Sequence, residues 1–130
     1  MEFPKNCKYT NEHEWVLPLG DGTALVGITD FAQSELGSIV YVEVETVGED
    51  LSKDQVFGVV EAVKTTSDLF MPVGGTVIEF NPEIDGDAQD NPAIINDDPY
   101  EKGWIIKIRM NDPNEVNELM DHESYKKMVE

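Results

Sequence analysis

The chain has 130 residues, with 9 Lys and Arg against 27 Asp and Glu, for a net charge of −18 at pH 7. That balance argues against binding a phosphate backbone, whose affinity comes from Lys and Arg displacing counterions. No apolar run reaches the roughly 20 residues of a membrane-spanning helix. Cys7 is the one cysteine, so neither an intrachain disulfide nor a Cys-rich metal site can form. A single domain over 1–130 is expected, since compact domains commonly hold about 100–150 residues, and two Trp, four Tyr and five Phe supply a core. Met1 to Asn6 lack the charged-then-apolar order of a signal peptide, so a cytoplasmic, acidic monomer is expected.

In chain order, His13–Leu17 and Thr23–Ile28 read as strands, joined by Gly20-Asp21-Gly22, where glycine supplies a positive φ. Thr29-Asp30 caps a short helix over Phe31–Leu36, and Gly37 stops it. The strand Ile39–Glu45 ends in alternating apolar and acidic residues, so one face is buried and one wet. Gly48 reads as a turn. Val56–Val63 is almost continuously apolar, as in a strand covered on both faces, and Gly58 marks a bulge or a close backbone approach. Leu69–Met71 and Thr76–Phe80 are further strands, with Gly74-Gly75 read as a hairpin turn between them. The polar stretch from Asn81 to Asn96 is read as loop, and Trp104–Arg109 as the last strand. Asp112-Pro113-Asn114-Glu115 opens a helix with an acidic cap, Pro at the first helical position and Glu three residues after the cap. Val116, Leu119 and Met120 share its face. Asp121 caps a second short helix carrying Tyr125, Met128 and Val129. Short strands at close spacing predict a mainly β fold with the helices packed outside it.

Catalytic constellations are missing. His13 and His122 are far apart and fit no metal-ligand spacing; His122 reads as a solvated residue of a helix first turn, and His13 as the maker of a structural hydrogen bond. No nucleophile elbow, P-loop or dinucleotide fingerprint occurs, so a non-catalytic role is expected. One lysine stands out by context. In Gly58-Val59-Val60-Glu61-Ala62-Val63-Lys64-Thr65-Thr66-Ser67-Asp68-Leu69-Phe70 an apolar run arrives, Lys64 stands at the break, and a second run leaves toward Pro72. The spacing puts Lys64 at the tip of a tight bend, projecting into water. A solvated turn lysine is the plain reading; an amine presented to an external enzyme is the functional one.

Glu61-Ala62-Val63-Lys64, followed by Ser67-Asp68 and Pro72, resembles the lipoyl-lysine hairpin of the glycine cleavage system H protein family. Lys8-Tyr9-Thr10 and His13-Glu14-Trp15 resemble that family's start. Val26-Gly27-Ile28-Thr29-Asp30-Phe31-Ala32-Gln33 with Leu36-Gly37 resembles its next segment. Pro92, Ile95-Asn96, Pro99-Tyr100, Gly103-Trp104 and Tyr125 continue the match, which runs in order along essentially the whole chain. Biotin carriers place their lysine between two methionines, and 2-oxo acid dehydrogenase lipoyl domains usually have Asp before it. Here Val63 and Thr65 flank Lys64.

The resemblance implies a lipoyl-domain-like barrel-sandwich hybrid of two antiparallel sheets, with a short internal helix and C-terminal helices. It implies lipoate in amide linkage to Lys64, attached by a lipoate ligase or a lipoyl/octanoyl transferase for which Glu61 is a recognition residue. The arm would collect an aminomethyl group from the pyridoxal-phosphate glycine decarboxylase and yield it to the aminomethyltransferase. Dihydrolipoamide dehydrogenase would then reoxidise the dithiol. Such a carrier has no activity alone, because the hard chemistry belongs to the cofactors. The loaded arm would rest in a cleft whose acidic groups, Glu14 and Asp68, hold the amine by charge-assisted contacts. The plain alternatives are an exposed strand carboxylate for Glu14 and a turn-capping carboxylate for Asp68. The negative charge would steer the carrier to basic rims on its partners.

Three departures from the family pattern stand out. Thr65-Thr66 replaces the commoner Ala residues, and Val44-Glu45-Thr46 lacks the usual proline turn before Val47-Gly48. The segment from Asn81 to Pro92 is about four residues longer than the pattern, in a region where loop lengths vary. Its acidic part, Ile84 to Asp90, would alter partner choice if it lay beside the cleft. The alternative function is therefore an H-like lipoate carrier of another pathway, such as sulfur oxidation with a heterodisulfide-reductase-like complex.

Overall fold

The computed structural model describes residues 1–130. Nine strands form two antiparallel sheets. The larger sheet has the order β1 (Lys8–Tyr9), β2 (Glu14–Pro18), β3 (Thr23–Ile28), β9 (Ile106–Met110), β8 (Gly75–Phe80) and β5 (Asp50–Leu51). The smaller has the order β4 (Ile39–Glu43), β6 (Val56–Ala62) and β7 (Thr66–Phe70). Helix α1 (Asp30–Leu36) bridges them in sequence, α2 (Ile94–Asp97) precedes β9, and a 3₁₀ turn (Pro113–Glu118) and α3 (His122–Val129) end the chain. The mainly β architecture expected from the sequence is the one observed. No helix is long and apolar enough to cross a membrane.

The core is built by alternation. A cluster of 20 buried residues draws Val16, Val26 and Ile108 from the large sheet and Val42, Phe57, Val60 and Leu69 from the small one. A second, largely aromatic cluster gathers Cys7, Tyr9, Trp15, Tyr100 and Tyr125. It exists because β2 pairs with β3 so that Trp15 faces Gly27, where an added Cβ would come within 2.6 Å of the indole. Tyr125 reaches in from α3 and stacks on Tyr9, with ring centroids 4.8 Å apart. That stack fixes the C-terminal helix against β1.

Several elements differ from the sequence reading. β6 is not covered on both faces: Phe57, Val60 and Ala62 are buried, Glu61 is exposed and Val63 beyond its end is 73% exposed. The apolar run misleads because a bulge between Val56 and Gly58 shifts the alternation. Gly58 also satisfies the second expectation, since a Cβ there would lie 2.5 Å from the Glu43 carbonyl. β4 stops at Glu43, two residues early. β7 begins at Thr66 instead of Leu69, because pairing with β6 outweighs the weak strand preference of Ser67 and Asp68.

Gly74-Gly75 is not a hairpin turn. β7 and β8 lie in different sheets, and Gly75 is a strand residue whose missing Cβ lets the Arg109 carbonyl approach. The segment from Asn81 to Asn96 holds all but the last residue of α2 and the buried Ile84, so it is not plain loop. The amide of Asn81 donates to the carbonyls of Lys102 and Trp104, and that of Asn96 donates to Gln33 and the Gly37 carbonyl. Near the C-terminus, the Pro-initiated turn is 3₁₀, and Met120 leaves it to bridge Tyr9. The two-residue strands β1 and β5 are too short to leave a periodic signal.

Candidate functional site

β6 and β7 are a hairpin whose connection is Val63-Lys64-Thr65. The Ala62 N–H donates to the Thr65 carbonyl at 2.8 Å, closing the bend around Val63 and Lys64. The Val63 N–H donates to the Ser38 carbonyl at 3.0 Å and braces the base. Below the bend, Glu61 pairs with Thr66 and Val60 with Ser67 in continuous register. Lys64 is exposed and enters none of the molecule's ion pairs, which are His122 with Glu123 and Lys126 with Glu130. Its ammonium stands in water on a stiff support. Glu61 is exposed on β6, three residues before Lys64, and takes no part in the cleft described next.

β7 leads from this bend into a cleft of about 310 Å³ between the hairpin, β2 and α1. Asp68 lies four residues from Lys64 and two residues into β7 from Thr66, about 7 Å along the strand at ~3.3 Å per residue. Its carboxylate is exposed at the cleft, opposite Val59 within the strand ladder, and caps no turn amide. The turn-capping alternative is thereby removed. β7 is the outer strand of its sheet, so backbone groups on one side are free to face β2. One of them, the Phe70 N–H, donates to Glu14 Oε2 at 3.3 Å.

Glu14 is not an exposed strand carboxylate. It is only 2% exposed, and Oε1 accepts from the Thr10 hydroxyl at 2.8 Å. Burial pushes its carboxyl up to about 7, against the pull of the Thr10 and Phe70 hydrogen bonds and with help from Glu12 and Asp54. A carboxylate in this state is under-compensated, and a cation entering the cleft would restore its charged form.

Three groups at the cleft escaped the sequence reading of it. Glu12 and Glu35 add two more carboxylates, and no Lys or Arg lines the space. His13 also lines it, in addition to making the structural hydrogen bond expected of it: Nδ1 lies 2.9 Å from the Tyr125 hydroxyl. The walls are Ile28, Phe31, Leu36, Val60 and Leu69, drawn from four separate elements. On α1 the spacing of Phe31, Ala32, Glu35 and Leu36 marks one helical face. Nothing in the sequence says what that face meets.

The longer acidic segment lies elsewhere. Asp85, Gly86, Asp87 and Asp90 wall a separate groove of about 470 Å³ along β4, and that groove shares no residue with the cleft. The loop is therefore not a wall of the cleft, and its extra length does not reshape it.

A family model described as glycine cleavage H-protein matches residues 7–130. A glycine cleavage system H protein of Bacteroides fragilis is 50% identical over 129 residues, which cover 99% of this chain and 98% of that protein. The chain belongs to the glycine cleavage H-protein family. An H protein of Chlorobium phaeobacteroides is 52% identical over the same shares. The crystal structure of a glycine cleavage system H protein from Mycobacterium marinum matches with a TM-score of 0.83 at 36% identity, covering 96% of this chain and 97% of that one. H proteins are lipoate-bearing carriers, and the exposed amine on a stiff bend beside an acidic cleft accords with membership.

Proposed function

We propose that this protein is the lipoyl carrier of the glycine cleavage system, with lipoate in amide linkage to Lys64 Nζ and an aminomethyl group as its cargo. The observation that carries this reading is the cleft: four carboxylates, no Lys or Arg and apolar walls, between the lysine-bearing hairpin, β2 and α1. Lys64 suits attachment because its amine is exposed and unpaired. Attached there, the dithiolane supplies the sulfur that accepts the cargo and the disulfide that is reduced in doing so.

The chain's own residues do the rest. The hairpin register keeps the bend clear of the globule, so a lipoate ligase or transferase can reach Lys64, with Glu61 beside it as a recognition residue. Glu14 and Asp68 hold the cargo's ammonium, and the nearby negative charge keeps that amine protonated. The apolar walls exclude water from the labile carbon–nitrogen bond. Glycine decarboxylase, aminomethyltransferase and dihydrolipoamide dehydrogenase are the partners in this reading. The acidic cleft favours a cationic cargo over the anionic sulfur species of a sulfur-oxidising pathway, which would meet like charge there.

The test has two steps. Protein expressed with lipoate and its ligase should gain the mass of one lipoyl group, mapped by peptide sequencing to Lys64. The lipoylated protein should then support bicarbonate exchange into glycine with a competent glycine decarboxylase. No mass gain at Lys64, or a lipoylated protein that supports no exchange, would overturn the proposal.

A further inference from the structure

Behind the cleft wall runs a chain of hydroxyls that ends on His13. Thr29 is fully buried and caps α1, its Oγ1 accepting the Ala32 N–H at 3.1 Å. The same oxygen lies 2.7 Å from the Tyr125 hydroxyl, which in turn lies 2.9 Å from His13 Nδ1. Each hydroxyl carries one hydrogen. Were Tyr125 to donate to Thr29, the Thr29 hydrogen would find no acceptor among its partners. The arrangement that satisfies every member runs from Thr29 to Tyr125 to His13 Nδ1. The imidazole proton then sits on Nε2, for which the protein supplies no partner, in a residue that lines the cleft.

We propose that Tyr125 of the C-terminal helix is a positioning residue for the cargo: its hydroxyl locks His13 as the neutral Nε2–H imidazole, leaving the cleft carboxylates free for the amine. This builds on the carrier reading above. Glu12 and Glu14 flank His13 in the chain, and Glu35 of α1 and Asp68 of β7 line the same cleft. The Phe31 ring packs 5.0 Å away, and Tyr9 stacks behind Tyr125. So much negative charge favours an imidazolium, which would pair with those carboxylates and displace an ammonium cargo. Burial lowers the affinity of His13 for a second proton, against Glu12 and Glu35. The relay adds a geometric barrier, because protonating Nδ1 forces Tyr125 to turn its hydrogen toward Thr29 and orphans a buried hydroxyl.

His13 also sits at φ +70°, a left-handed conformation that favours glycine. Its carbonyl accepts the Thr29 N–H at 3.0 Å and its own N–H donates to Thr10 at 3.2 Å, so the backbone is pinned at both sides. Strain of this kind persists where surrounding contacts over-determine it.

Nitrogen-15 NMR of the imidazole, read on the unlipoylated chain, separates this proposal from the carrier reading. The wild type should show the Nε2–H tautomer at pH 7; an Nδ1–H tautomer or an imidazolium there overturns the relay. In Tyr125→Phe the tautomer should become mixed and the titration should move up in pH. On the loaded protein, that variant should release its cargo about fivefold faster than wild type at pH 6, the scale of one partly exposed charge pair. The two should release alike at pH 8. His13→Gln cannot protonate, so combining it with Tyr125→Phe should abolish the pH 6 difference. An unchanged imidazole spectrum in Tyr125→Phe, or an altered spectrum with wild-type release at pH 6, would overturn the assignment.

Discussion

The bend and the cleft are neighbours on one hairpin, yet they work by opposite physics. Lys64 suits the proposed attachment because nothing touches it: it is exposed, unpaired and held out by a ladder that ends at Ala62 and resumes at Thr66. Glu14 suits the proposed cargo contact because so much touches it: it is 2% exposed, doubly hydrogen-bonded, and burial pushes its carboxyl up to about 7. A presentation site needs chemical identity at one position and rigidity beneath it. A protective site needs several elements to converge and must bury charge to do so.

Exchanging Lys64 for Arg makes the sharpest break between the two. Lys64→Arg keeps the charge but removes the acylable amine, so lipoylation read by intact mass should be lost completely. Stability in urea should stay within about 0.5 kcal/mol of wild type, as for other exposed substitutions. A marked loss of stability would mean that the bend is a structural keystone and that the contrast is wrong.

The cleft should respond in the other sense. The folded-state affinity of Glu14 for a proton is raised, so its favourable contribution is complete below pH 4.5 and is lost as the pH climbs through about 7. Glu14→Gln removes that dependence and, like the protonated acid, leaves one carbonyl acceptor for the Thr10 hydroxyl and the Phe70 N–H. The variant should match wild type near pH 4 and exceed it at pH 8 by about 2–3 kcal/mol in urea unfolding. The same variant should hold the loaded arm poorly. Equal pH profiles for the two proteins would place Glu14 in a wetter setting than its burial implies.

Asp68 sits between the extremes, in the hairpin ladder but at the mouth of the cleft. Asp68→Asn should leave stability nearly unchanged. Cargo release should quicken about 2- to 5-fold, the size of a partly exposed ion pair worth roughly 0.5–1 kcal/mol. Unaltered release would restrict the amine contacts to the buried side of the cleft.

The fold was legible where local rules act alone. Thr29, Asp112 and Asp121 cap their helices with the side-chain contacts their residue types predict. Thr23–Ile28 has the bounds set by the Gly20-Asp21-Gly22 turn before it and the Thr29 cap after it. Legibility failed where a partner strand overrode the local signal. Ser67 and Asp68 look like turn residues but sit in β7 because β6 pairs with them. Gly74 and Gly75 look like a turn but permit a close strand approach. In the candidate site, Lys64, Glu14 and Asp68 were marked by motif, whereas Glu12, Glu35 and the place of His13 in the cleft lining were not. Those residues lie on a loop and a helix that meet the hairpin only after both sheets have packed.

The sequence by itself determined that Lys64 stands exposed on a tight bend, because a hairpin tip is set by residues adjacent in the chain. Only the tertiary structure decided that Glu14 is buried and that Asp68 shares a cleft with Glu12 and Glu35. The same packing brought Tyr125, 112 residues away, onto His13. Burial and convergence are properties of packed surfaces, and the order of residues along a strand does not encode what lies across from it.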